Sequence, residues 1–316
     1  MQIYDRELPP ELEKLYEDAV AYRPDAQLKF VLGMPEGSRL DGRHTADRDG
    51  NSEVRVATDW DFPVLAHELM HVVAYRRGLP YASVLPFETN FSTVAQVITC
   101  AATHAHFHAD AIARGLPPSL WHDKVVSYPK LDAPDEPALS EQSFIEAWRL
   151  ADAIFCDRDA VAHLEAKARA ELPQTWAVTE RILQTMERCR GVSGVGWRKA
   201  MVDLLGYFDA MAKEHHPAVL PPSKTIALTL VLSEAQLKRP ADRLIEIAVI
   251  DKIVVGFMNK QDRSIFHFLY LGPKTQKQEL ATLRAQLKQK KVEDFLDLHW
   301  VQYTVDLRAG KPVPSA

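Results

Sequence analysis

Thr58 to Gly78 reads TDWDFPVLAHELMHVVAYRRG, and His67-Glu68-Leu69-Met70-His71 inside it sets two histidines four residues apart. On a helix, positions i and i+4 share one face about a turn apart, so both imidazoles can hold one zinc ion. The glutamate next to the first histidine reaches toward the open coordination position, where it can take a proton from water. The flanks predict the helix itself. Asp61 suits an N-cap, Pro63 suits the first turn, and Gly78 is a stop after Arg76 and Arg77. Val64, Leu65, Leu69, Met70, Val72, Val73 and Ala74 make it apolar nearly all round, the pattern of a buried helix. Two histidines and a carboxylate on such a helix are costly unless a metal or hydrogen bonds satisfy them.

A three-ligand zinc site needs one more donor. Phe91 to Gly115, FSTVAQVITCAATHAHFHADAIARG, predicts a second helix from Ser92 to Arg114 with a glycine stop. Val94, Val97, Ala101, His104, His108 and Ala111 recur at helical spacing, so His104 and His108 share the apolar face. His104 is the preferred third ligand. His108 is the alternative, or a partner that orients His104, and Glu88 in the preceding loop competes for the same place. His106 and Asp110 read as a surface pair on another face.

Upstream, Pro9 to Tyr22 predicts an amphipathic helix and Gln27 to Met34 a strand. Pro35 to Ser52 reads as a loop carrying a solvated His44, and Glu53 to Thr58 as a short strand entering the HExxH helix. Downstream, Trp121 to Leu139 reads as a linker. Four helices are expected over 140–156, 158–171, 174–190 and 195–215. Beyond Pro217–Lys224 the period changes from 3.6 to 2. Thr225 to Leu232 predicts a strand, Ile247–Met258 and Ser264–Leu271 a hairpin, and Gln276–Lys291 a helix. Val292 to Leu307 is apolar without a decisive period. The whole is expected to be α+β: a mostly helical metal-binding core with a small sheet over 1–120, a helical bundle over 140–216, and an α+β domain over 222–316 that contacts substrate or partner or acts as a sensor.

Composition excludes more than it identifies. An apolar share of 47% and a charged share of 26% are those of an ordinary globular chain. A net charge of −5 argues against a general nucleic-acid binder. Cys100, Cys156 and Cys189 are too scattered for a zinc ribbon or a disulfide scaffold. With no apolar leader and no long apolar run, a cytoplasmic protein without a membrane partner is expected.

A buried HELMH helix, entered from a short strand and followed by a helix with an inward donor, resembles the zincin metallopeptidases over roughly residues 25–116. It lacks the metzincin extension, which needs a glycine and a histidine where this chain has Ala74 and Arg77. Its downstream helix offers His104 where the thermolysin-like branch has a glutamate. The form is similar to compact bacterial and phage HExxH proteins, some of which cut a regulator protein. The resemblance implies a zinc metallopeptidase acting on a protein or peptide, with His67, His71 and His104 as ligands and Glu68 as general base. It also implies that the strand Val54–Thr58 pairs with extended substrate. Tyr75, Tyr81 and Tyr128 are available to stabilise the oxyanion. Two other readings stay open: a zinc hydrolase of a non-peptide substrate, and a non-catalytic zinc-containing binding or sensor protein.

Overall fold

Residue by residue, the computed structural model describes the chain except for 1, 4–5, 37–40, 48, 86–90, 136–139, 191–193, 216, 218 and 306–316. The fold is α+β. The chain divides into two units, one of residues 1–79, 103–135 and 146–183, the other of residues 80–102, 136–145 and 184–316. No helix among the described residues is long and apolar enough to cross a membrane.

In the first unit, α1 (Pro10–Ala21) leads into a three-stranded sheet of β1 (Leu28–Leu32), β2 (Gly42–Ala46) and β3 (Ser52–Val56). β3 lies in the middle, parallel to β1 and antiparallel to β2. β2 lies within the segment expected to be a loop. Its GRHTA sequence has no apolar alternation, so nothing local announces a strand. Pairing with β3, from Gly42 opposite Val56 to Ala46 opposite Ser52, is what holds it extended. The central place of β3 also corrects the expectation that substrate pairs with Val54–Thr58: both sides of that strand are occupied, and the edges belong to β1 and β2.

The HExxH helix, α2 (Phe62–Arg76), forms for the reasons its flanks suggest. The Asp61 carboxylate accepts from the Val64 N–H at 2.9 Å, a proline lies in the first turn, and Gly78 turns out of the helix with φ +80°. Val64, Leu65, Leu69, Val72 and Val73 are buried with Val54 and Val56 of β3 and Leu12 and Leu15 of α1 in one core. Arg76 is buried at the last turn. Its guanidinium donates to the carbonyls of Ala19 at 2.8 Å, Ala26 at 3.2 Å and Gln27 at 2.8 Å, fixing the end of α2 against α1 and the approach to β1.

A short strand, β4 (Ala82–Val84), precedes α3 (Ser92–Ala113). The stretch expected to be a linker holds a short helix, α4 (His122–Ser127), preceded by Trp121, whose indole N–H donates to the Leu116 carbonyl at 3.1 Å. α5 (Glu141–Cys156), α6 (Ala162–Glu171), α7 (Pro173–Cys189) and α8 (Gly194–His215) follow as expected. Leu150, Ala153 and Ile154 of α5 pack with Val161 and Ala168 in a second core of the first unit.

In the second unit, Thr225–Leu232 is not one strand but two. β5 (Ile226–Leu228) pairs antiparallel with β4, and β6 (Leu230–Leu232) pairs parallel with a late strand, Tyr303–Val305. The break falls at Thr229, whose N–H donates to the Tyr81 carbonyl at 2.9 Å. Arg198 from α8 takes the carbonyls of both Leu228 and Thr229, so those groups are lost to a continuous ladder. The expected hairpin is present as β8 (Val254–Asn259) and β9 (Ile265–Tyr270), with an added strand, β7 (Ile245–Val249), on the far side of β8. α9 (Gln276–Gln289) and α10 (Val292–Leu298) pack Leu283, Leu287, Phe295 and Leu296 against Val255 and Phe257 of the hairpin. The undecided segment after Val292 is thus helix first and strand last, because one end faces that core and the other pairs with β6.

Candidate metal centre

α2 delivers two imidazoles and α3 the third. The Nε2 atoms of His67 and His71 are 3.2 Å apart, and the ring centroids of His67 and His104 are 4.8 Å apart. One nitrogen from each of His67, His71 and His104 lies within 4.8 Å of the others. Three histidines so placed, with Glu68 between two of them, form a zincin-type HExxH metal-binding motif.

The donor set fits zinc on the structure's own terms. Two nitrogens bound tetrahedrally at about 2.0–2.1 Å from one ion stand roughly 3.4 Å apart, close to the spacing of the His67–His71 pair. His104 carries the stronger test. It is buried, and its Nδ1 meets an Asp152 carboxylate oxygen at 2.9 Å. Its Nε2 is shut off from solvent and has no hydrogen-bond partner. A carboxylate on Nδ1 places the proton there and leaves the Nε2 lone pair directed at His67 and His71. A buried acceptor with nothing to accept from is costly, and a cation removes that cost.

Asp152, on α5, was absent from the sequence reading. It lies 48 residues from His104 and no spacing rule connects them. The signal that could have found it is an acid on the apolar side of a helix, flanked by Leu150, Ala151, Ala153 and Ile154, all buried. Its second oxygen meets His108 Nε2 at 3.2 Å. His108 Nε2 is therefore directed at Asp152, the arrangement of a residue that orients His104 through their shared acid. Burial alone would raise the Asp152 carboxyl, but the charges and hydrogen bonds of His104 and His108 hold it well below the usual carboxylate range. Glu88, the competing third ligand, lies outside the described residues.

Glu68 is buried, and burial pushes its carboxyl up to about 8, opposed by a hydrogen bond from the backbone N–H of His44. Strand β2 reaches the glutamate because Gly42 carries no side chain. A Cβ there would lie 2.7 Å from Val64 Cγ1 and 2.8 Å from Glu68 Oε1, closer than real contacts allow. Burial pushes His67 down to about 3 and His44 to about 4, so both rings are neutral near pH 7.

His44 is not a solvated loop residue. Gly42, His44 and Ala46 alternate as the half-buried face of β2 while Arg43 and Thr45 are exposed. The His44 ring meets Tyr75 edge-on at 5.7 Å between centroids. The tyrosines otherwise available are engaged: Tyr75 donates to the Asp47 carbonyl, Tyr128 to Asp41 at 3.3 Å, and Tyr81 to Gln302. Asp110 pairs with Arg77 at 2.7 Å, fastening the end of α2 to α3, and its charge also acts on His106. Comparison with family models, with curated proteins and with solved structures yields no match.

Proposed function

We propose that this chain is a zinc-dependent endopeptidase, with His67, His71 and His104 as metal ligands and Glu68 as general base. The observation that carries the reading is the convergence of three imidazole nitrogens beside a buried carboxylate, with the third ring's tautomer set by Asp152. When bound, zinc supplies Lewis acidity: it makes a water easier to deprotonate and polarises the carbonyl to be cut.

The chain's own groups handle position and protons. Glu68 takes a proton from the water as the water oxygen bonds to the carbonyl carbon. The carbon–nitrogen bond then breaks, and Glu68 passes the proton to the departing amine, leaving a new acid and a new amine. Burial raises this carboxyl, which makes its ionised form a stronger base, while the charge of a bound zinc would favour that ionised form. Gly42 and the His44 N–H keep that carboxyl from wandering. Asp152 and His108 hold His104 in register.

A protein or peptide is the substrate this arrangement favours, because β2 is a sheet edge beside Glu68 and an extended peptide can add to it as a further strand. In this reading the chemistry belongs to the core assigned to residues 1–120, and the α+β segment 222–316 selects or presents the substrate, a regulator protein being one class. The three free cysteines suit a reducing cytoplasm.

Elemental analysis of the purified full-length chain tests the centre, with one zinc per chain expected. A cleavage screen against a diverse peptide library then compares wild type with Glu68→Gln. The variant keeps its zinc and loses about 10²–10⁴-fold in rate, since a carboxamide cannot take the proton. Equal rates would sink the mechanism.

A further inference from the structure

Two imidazole nitrogens near the metal centre are buried and have no partner: Nε2 of His104 and Nε2 of His44. The first is accounted for by the metal. The second is not, because the nitrogens that converge are those of His67, His71 and His104, and His44 stands outside that set among the described residues.

The position of His44 is tightly determined all the same. Its backbone N–H is bonded to Glu68, the proposed base, and its ring packs on Tyr75, one helical turn beyond His71 on α2. It lies close enough to His71 for the charge of one to act on the other. It sits on the face of β2 turned toward α2, on a strand that pairs on one side only among the described residues. The neighbouring hydroxyls and ammonium are committed: Tyr75 to the Asp47 carbonyl, Tyr128 to Asp41, and Lys124 to Asp61 at 3.1 Å. A buried ring nitrogen without a protein partner, beside the proposed base and outside the converging set, calls for a hydrogen-bonding role.

We propose that His44 is a catalytic residue that donates a hydrogen bond from Nε2 to the carbonyl oxygen of the bond being cut, as negative charge builds on that oxygen. A donor already in place and already stripped of water reorganises little when the charge appears, which is what makes such groups effective. The ring stays neutral and keeps its proton throughout, so the balance of the hydrolysis is unchanged. This role rests on the zinc peptidase reading above.

The test uses zinc-loaded full-length protein and acetohydroxamate, a small probe whose oxygens occupy the place of the reacting carbonyl and water. Zinc content is measured by elemental analysis and probe affinity by calorimetry, for wild type, His44→Phe and His44→Gln. His44→Phe is expected to retain its zinc and bind the probe about 10-fold more weakly or worse, the loss of one hydrogen bond to a charged group. His44→Gln keeps a donor and restores affinity to within about threefold. If His44→Phe fails to fold, His44→Ala serves as the donor-less variant. Wild-type affinity in a folded, zinc-loaded variant without the donor overturns the role of His44 and leaves the metal centre standing. A wild-type chain that takes up no zinc overturns the centre and this role with it.

Discussion

His104 and His122 both stand against aspartates in the first unit, at nearly the same distances, yet they are different devices. His104 meets Asp152 at 2.9 Å through Nδ1 alone, in the dry interior, with its other nitrogen bare and two more imidazoles alongside. His122 meets Asp123 through Nδ1 and Asp157 through Nε2, each at 3.1 Å, and is partly open to water. With both nitrogens used, it has no lone pair left for a metal. Its hydrogen bond to Asp123 raises it above the ordinary histidine value, burial opposes this, and the hydrogen bond and charge of Asp157 add to the rise. An acid beside a histidine therefore does not make a ligand. A spare nitrogen, facing other donors where water cannot satisfy it, does.

The difference can be broken most severely by removing each ring. His104→Ala should cost zinc affinity by more than the ~10–100-fold typical of losing an outer partner, whereas His122→Ala should leave zinc binding unchanged in a competition titration with a chelator. Equal losses in the two variants would end the distinction. Removing the acids is the next sharper comparison. Asp152→Asn should weaken zinc by about 10–100-fold, because the amide no longer fixes the tautomer or the ring, while Asp157→Asn should leave it alone.

The smallest effect is a pH dependence. His122 is raised in the folded chain, so its pairs stabilise the fold fully below the unfolded histidine value of about 6.5. That contribution fades as pH rises through the higher folded value. For a pair this close to solvent it amounts to about 1 kcal/mol or less. Thermal melts of wild type and His122→Gln should differ near pH 5.5 and converge at alkaline pH. A gap that widens with pH would contradict the direction of the shift.

The same contrast between locally encoded and distantly supplied groups runs through what was legible in the chain. α2 was readable to its caps because Asp61, Pro63 and Gly78 act on backbone groups within a turn of themselves. α3 and its inward His104 were readable because 3.6-residue periodicity needs no partner to be seen. β2 was not, since GRHTA becomes a strand only through β3, and its one strong local hint, Gly42, reads as loop until a glutamate side chain is found where a Cβ would be. The strand expected over Glu53–Thr58 is present as Ser52–Val56, but in the middle of its sheet, not at the edge that pairing with substrate needs: alternation gives a strand its faces but does not say who lies beside it.

Two histidines and a glutamate on one buried helix, with an inward histidine on the next, follow from spacing and burial pattern along a single chain, because helical geometry is local. Which acid fixes the third ring, which strand presses on the glutamate, and which other histidine is left with a bare nitrogen were decided only when α5 and β2 came against α2 and α3. Hydrogen bonds and close contacts reach a few ångströms in space and take no account of separation along the chain, so Asp152 and His44 acquire their meaning from neighbours that no local pattern could supply.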